Sequence, residues 1–232
     1  MKNSKTVGII LIIAIIFQSI FFFEHNEFFI YTFAVGLKTE YNSVPSVIYI
    51  FVLLSPIFFI YFYFSESIYR LTHGYGKIFI IRRYSKTKLL MKETRKMLIS
   101  LIFIVFAQTT LALIFKGDLI ALNAPVIIAS ICSYLLGVFV CALLQMQLEF
   151  YIEPQKVTIA LCVYSFLSYS AAHFIPNNFF VKIIFFPSLM FGEVNGAIEN
   201  LWQYIASICY LAVLSVCLFF ANIYKLKKSD VF

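Results

Sequence analysis

Residues 125–148 read PVIIASICSYLLGVFVCALLQMQL, twenty-four positions without one charged side chain. As a helix, at 1.5 Å per residue, this run covers ~36 Å, enough to cross ~30 Å of bilayer hydrocarbon. Five more apolar segments accompany it: Val7 to Phe23, Val44 to Phe64, Met97 to Phe115, Val157 to Ile175 and Leu201 to Tyr224. At 17 to 24 residues, all six fall in the window of roughly 17–25 for a transmembrane helix. They predict an all-α integral membrane protein with six spans. Lys2 and Lys5 precede the first run as they would in a cleaved signal, but no small-residue cleavage site follows Phe23, so a retained helix is expected.

Composition agrees. Hydrophobic residues make up 62% of the 232, aromatics 19% and charged residues only 12%, with a mean hydropathy of +0.93. A soluble enzyme, a nucleic-acid module and a disordered chain are excluded. The cysteines, Cys132, Cys141, Cys162, Cys209 and Cys217, all lie in apolar runs with no C-x-x-C pair or flanking histidine. They read as small hydrophobes, and no metal site is expected.

Basic residues set the orientation, because Lys and Arg accumulate on the cytoplasmic side. Fifteen of the eighteen lie in the N-tail, the second-to-third connection, the loop holding Lys156 and the C-tail. The other three connections share Lys38, Lys116 and Lys182 and carry six of the eleven acids. Both termini are therefore expected in the cytoplasm. The net charge of +7 then faces anionic lipid headgroups, which attract each cation near the surface by about 1 kcal/mol. No repeat or long linker divides the chain, so residues 1–232 are expected to form one domain.

Nine of the basic residues fall in one connection, residues 65–96, SESIYRLTHGYGKIFIIRRYSKTKLLMKETRK. Gly74 and Gly76 break the preceding helix, and the following stretch mixes Lys and Arg with Ile78, Phe79, Ile80 and Ile81. That pattern predicts a short interfacial helix, able to lie on headgroups or to face a soluble partner. A phosphate-binding G-x-x-x-x-G-K-[ST] loop is not formed: Gly76-Lys77 is followed by Ile78, and Leu71 occupies the first glycine position. ATP hydrolysis is not expected of this chain.

Six spans with both ends inside, Glu66 at the inner end of the second span, Gly74-Tyr75-Gly76-Lys77, Ile80-Ile81-Arg82-Arg83-Tyr84-Ser85-Lys86-Thr87-Lys88 and the tail Tyr224-Lys225-Leu226-Lys227-Lys228-Ser229-Asp230 are together similar to the ABC-2 type transporter permeases. Within them the chain resembles the small permeases associated with bacteriocin or peptide export and immunity in Gram-positive bacteria. The resemblance implies that 65–96 is a cytoplasmic coupling connection seated on a separate ABC ATPase, which binds ATP and Mg. Tyr75 to Lys88 would make the contact, with Glu66, Tyr75, Gly76, Lys77, Ile81 and Tyr84 in the coupling segment and Arg82, Arg83 and Lys86 its polar anchors. It also implies a second permease, identical or related, paired through the first and fifth spans. Many such permeases begin with an amphipathic helix, for which Met1 to Thr6 are too few, so a non-identical second subunit is one expectation.

Residues 176–200, PNNFFVKIIFFPSLMFGEVNGAIEN, are too apolar for an ordinary exposed loop and are broken by Pro187, Gly192 and Gly196. Irregular backbone at membrane depth survives only under protein or beside a wet cavity, so short re-entrant helices are expected. The ABC-2 resemblance implies the same, with a sealing role. A connection skimming the membrane is the alternative.

In the fifth span Ser165, Tyr169 and His173 recur every four residues and share a helix face. Polar groups within a bilayer face protein or a cavity, so these residues are pathway candidates or hydrogen-bonding glue between helices; Gln108, Gln145 and Gln147 carry the same two readings. His173 with Asn177, and His25, also suggest an intramembrane protease, but Glu149 and Glu153 lack the paired acid such chemistry needs. The chain is thus expected to be a non-catalytic, multi-pass permease of the cell membrane, without cofactor, metal or nucleic acid. Its expected cargo is a hydrophobic or cationic peptide; the alternative is a stand-alone immunity or sensor protein.

Overall fold

In the computed structural model the described residues are 4–24, 32–37, 47–72, 85–115, 124–174, 179–192 and 201–228. Among them every regular element is helical. In chain order they are α1 (Ser4–Glu24), α2 (Thr32–Val35), α3 (Val47–Phe64), α4 (Ser67–Thr72), α5 (Lys86–Phe115), α6 (Ala124–Leu148), α7 (Pro154–Phe174), α8 (Phe179–Ile184), a 3-10 helix (Phe186–Met190) and α9 (Leu201–Lys228). The protein is an all-α membrane protein. Five helices, α3, α5, α6, α7 and α9, are long and apolar enough to cross a bilayer, and α1 adds a shorter apolar stretch, Thr6–Phe22.

The uncharged run that opens the sequence analysis becomes the hub. Helix α6 packs against α9, α5, α7, α3, α2 and the 3-10 helix. Val138, Val140, Cys141, Ala142 and Leu143 have no exposed surface, because neighbours enclose the second half of this helix, while Ile128 and Cys132 in its first half stay exposed. The periphery differs: α1 buries Leu11, Ala14, Ile15, Gln18 and Phe22 along one stripe against α3 and α5 and turns Ile9, Ile12, Ile13, Ile16 and Phe17 outward. Outward isoleucines are the expected surface of a helix whose solvent is lipid.

Helix α5 departs from its expected start at Met97. It begins at Lys86 and runs for 30 residues, ~45 Å, so its first turns extend beyond a hydrocarbon layer of ~30 Å. These turns bury Leu90, Thr94 and Met97 and expose Lys88, Met91, Lys92, Arg95 and Lys96. The last eleven residues of the basic connection, 86–96, therefore belong to the same helix as the third span. The connection's centre, with Tyr75, Gly76, Lys77, Ile81, Arg82, Arg83 and Tyr84, lies outside the described residues, as do His25 and Asn177.

Pro56 interrupts α3. Proline lacks the N–H that would bond the carbonyl four residues back, leaving Val52 O to find another donor. Ser55 Oγ donates to it at 2.9 Å. From α1, Gln18 Nε2 donates to Leu53 O at 2.8 Å and reaches Val52 O at 3.4 Å. The orphaned carbonyl is thus met first from within α3, by Ser55, with Gln18 of α1 as a second, longer donor, as a water-free interior demands.

Candidate functional site

The polar groups of the bundle form three clusters. The first lies at the end that carries the basic connection. Helix α3 stops at Phe64, and Glu66 takes φ 72, a left-handed conformation that costs a side-chain-bearing residue about 1–2 kcal/mol. The carboxylate of Glu149, just beyond α6, faces this corner. Its Oε1 accepts the Glu66 N–H at 3.0 Å and its Oε2 the Ile68 N–H at 3.1 Å. One turn back, Gln145 Nε2 donates to Tyr61 O at 3.0 Å and to Thr158 Oγ1 at 3.2 Å. The corner between α3 and α4, which leads into the basic connection, is thereby fastened to the corner between α6 and α7.

The C-terminal end of α9 reaches the same face. Lys225 Nζ sits 4.2 Å from the centre of the Tyr151 ring, while Lys156 pairs with Glu153 at 3.1 Å. With the exposed cations of α5, this end of the molecule is basic.

The second cluster is internal. Gln18 Oε1 faces Gln108 Nε2 at 3.4 Å, and the same amide reaches Tyr134 OH at 3.4 Å. Together with the Gln18 bonds to α3, a polar chain crosses α3, α1, α5 and α6 among side chains that are 1–3% exposed.

The third cluster holds the segment after α7. The predicted short helices are present as α8 and the 3-10 helix, and all five residues of the latter are buried. Its backbone is satisfied by serines of the long helices: Ser133 Oγ donates to Leu189 O at 2.7 Å and Ser168 Oγ to Phe185 O at 2.6 Å, while Ser168 Oγ accepts the Ser188 N–H at 2.9 Å. Phe191 packs edge-on to Tyr169 at 5.0 Å, and Phe33 likewise to Tyr134 at 5.3 Å. Partial burial also lowers the pKa of Lys182 below the usual lysine value. The segment is thus packed into the bundle, with protein donors serving its irregular backbone.

Among the predicted pathway residues, Ser165 Oγ and Tyr61 OH lie 2.8 Å apart, joining α7 to α3. Tyr169 is fully buried and its hydroxyl accepts the Leu37 N–H at 3.0 Å. The His173 ring packs on Tyr169 at 4.7 Å between centroids. Ser165 and Tyr169 therefore act as glue between elements in this conformation. Glu66 and Lys86 lie within the basic connection, on either side of its centre, and Glu66 engages Glu149 through its backbone. His173 and Glu153 stand at opposite ends of α7, ~30 Å apart along the helix, so they do not form one reacting centre. No group of three His, Cys, Asp or Glu side chains suited to a metal occurs among the described residues.

Sequence reasoning missed the partnership of Glu149 with residues 66 and 68. A carboxylate that directly follows a long apolar helix was its available signal. It likewise missed Ser133 and Ser168, whose role appears only once the returning segment is placed beside them.

Residues 11–232 match the family described as Protein of unknown function (DUF2705). The chain belongs to this family. No curated protein and no solved structure matches it. The DUF2705 match takes in all three polar clusters, so it covers the basic corner, the internal glutamines and the serine-bound segment alike.

Proposed function

We propose that the chain is the transmembrane permease subunit of an ATP-driven exporter of the ABC-2 type, in the cell membrane of a Gram-positive bacterium. It has no catalysis of its own; a separate ATPase supplies ATP and Mg chemistry. The observation carrying this reading is the fastening of the basic connection's lead-in to α6 and α7 by Glu149 and Gln145. A protein that only shields the membrane has no need for a cationic surface mechanically tied to its central helix. Support also comes from the 3-10 helix buried beside the second half of α7, which suits an outer seal. An open apolar groove flanked by α1 and α7, with Ile10, Ile13, Phe17, Phe51, Cys162 and Val163 on its walls, suits the second permease. A hydrophobic or cationic peptide fits a bundle whose described interior is aromatic and weakly polar.

Co-purification in mild detergent tests the reading. A soluble ATPase is expected with the wild-type chain and is expected to be lost in the double variant Arg82→Glu, Arg83→Glu. Recovery of the wild-type chain alone under several gentle conditions would replace the exporter with a stand-alone immunity or sensor protein.

A further inference from the structure

We propose that Glu149 is the positioning residue through which movement of the basic connection reaches the bundle. The inference rests on the permease reading and adds the element that transmits force within it. Between Phe64 and Ser67 the chain reverses through Ser65 and a left-handed Glu66, a conformation retained only where the surroundings over-determine it. Glu149 supplies that determination with both carboxylate oxygens, one on the turn itself at Glu66 and one on the start of α4 at Ile68. Hydrogen bonds to an ionised acceptor are roughly twice as strong as neutral ones. Gln145 holds the last turn of α3 from the same helix and also contacts Thr158 at the start of α7. A shift of α4 is therefore delivered to α6, the helix with the most packing partners, and to the root of α7, whose second half holds the 3-10 helix through Ser168. The link runs from the basic surface through these side-chain bonds and the α7 helix itself to the buried 3-10 helix.

Hydrogen–deuterium exchange on the purified chain in nanodiscs tests the attachment without any partner. Glu149→Ala is expected to speed exchange of the 66–72 amides at least tenfold and to leave peptides from α9 unchanged. Glu149→Gln, which retains one acceptor oxygen, is expected to fall between and carries the test if the alanine variant fails to fold. Unchanged protection at 66–72 in both variants overturns the proposal. With the ATPase complex, Glu149→Ala is expected to keep the ATPase bound while ATP hydrolysis stimulated by a synthetic amphipathic Lys/Leu peptide drops at least tenfold, partly restored in Glu149→Gln. Faster exchange with unaltered stimulation overturns the transmitting role and leaves the permease reading standing. Absence of any ATPase from the wild-type preparation overturns both, and that control separates the two failures.

Discussion

Gly137 and Gly192 are where a single methyl group decides the packing of the returning segment. A Cβ at Gly137 would overlap the Met190 side chain near its root, and one at Gly192 would overlap the Tyr204 ring and hydroxyl. Tyr204 cannot retreat cheaply: it is fully buried and its hydroxyl accepts a bond from Ser130 Oγ at 2.8 Å. Gly8, with nothing within 4 Å of its absent Cβ, is the internal control. Gly192→Ala is expected to destabilise the protein by about 1–3 kcal/mol through overpacking. Gly8→Ala is expected to be neutral or to gain up to ~1 kcal/mol of helix propensity. Thermal unfolding in one detergent compares them; equal melting temperatures would show that the close approach at Gly192 is not maintained. In the sequence the three glycines look alike, since only the chain's return after α7 separates a crowded position from an open one.

At the scale of elements, α3 reads in sequence as one uninterrupted span, yet Pro56 and Gln18 make its integrity depend on α1. Replacing Gln18 with Leu removes the donor to Leu53 O and is expected to cost roughly 0.5–2 kcal/mol, the range of polar contacts between membrane helices. In a Pro56→Ala background the helix regains its own N–H for Val52 O, so the same substitution is expected to cost less. A double-mutant cycle read by thermal or denaturant unfolding should give a coupling of at least ~0.5 kcal/mol. Strict additivity would mean that Gln18 acts independently of the proline. Helix ends at Phe64 and Leu148 were legible because apolarity stops there and turn residues follow. The early start of α5 was not, because Lys86 to Lys96 supplies good helix formers but no apolar run. Ser165 and Tyr169 were legible as a shared face, whereas their bonds to Tyr61 and Leu37 depend on which helices become neighbours.

For the molecule as a whole, charge and packing define one axis. The corners around Glu66 and Glu149, the first turns of α5 and the last turn of α9 gather at one end, joined by the Glu149 bonds and the Lys225–Tyr151 contact. The buried 3-10 helix lies along the second half of α7, near Ser168 and Tyr169, away from that end. The distribution of Lys and Arg predicts that the first end faces the cytoplasm, because cations are retained there during insertion. Two exposed positions at opposite ends of α7 turn that assignment into a measurement: Tyr151 is 62% exposed and Phe174 65%. In a cysteine-free background, Phe174→Cys is expected to react with a membrane-impermeant maleimide on intact cells. Tyr151→Cys is expected to react only after the membrane is opened. The reverse pattern would put the basic connection outside, beyond reach of a cytoplasmic ATPase, and would remove the physical ground for energy entering through Glu149.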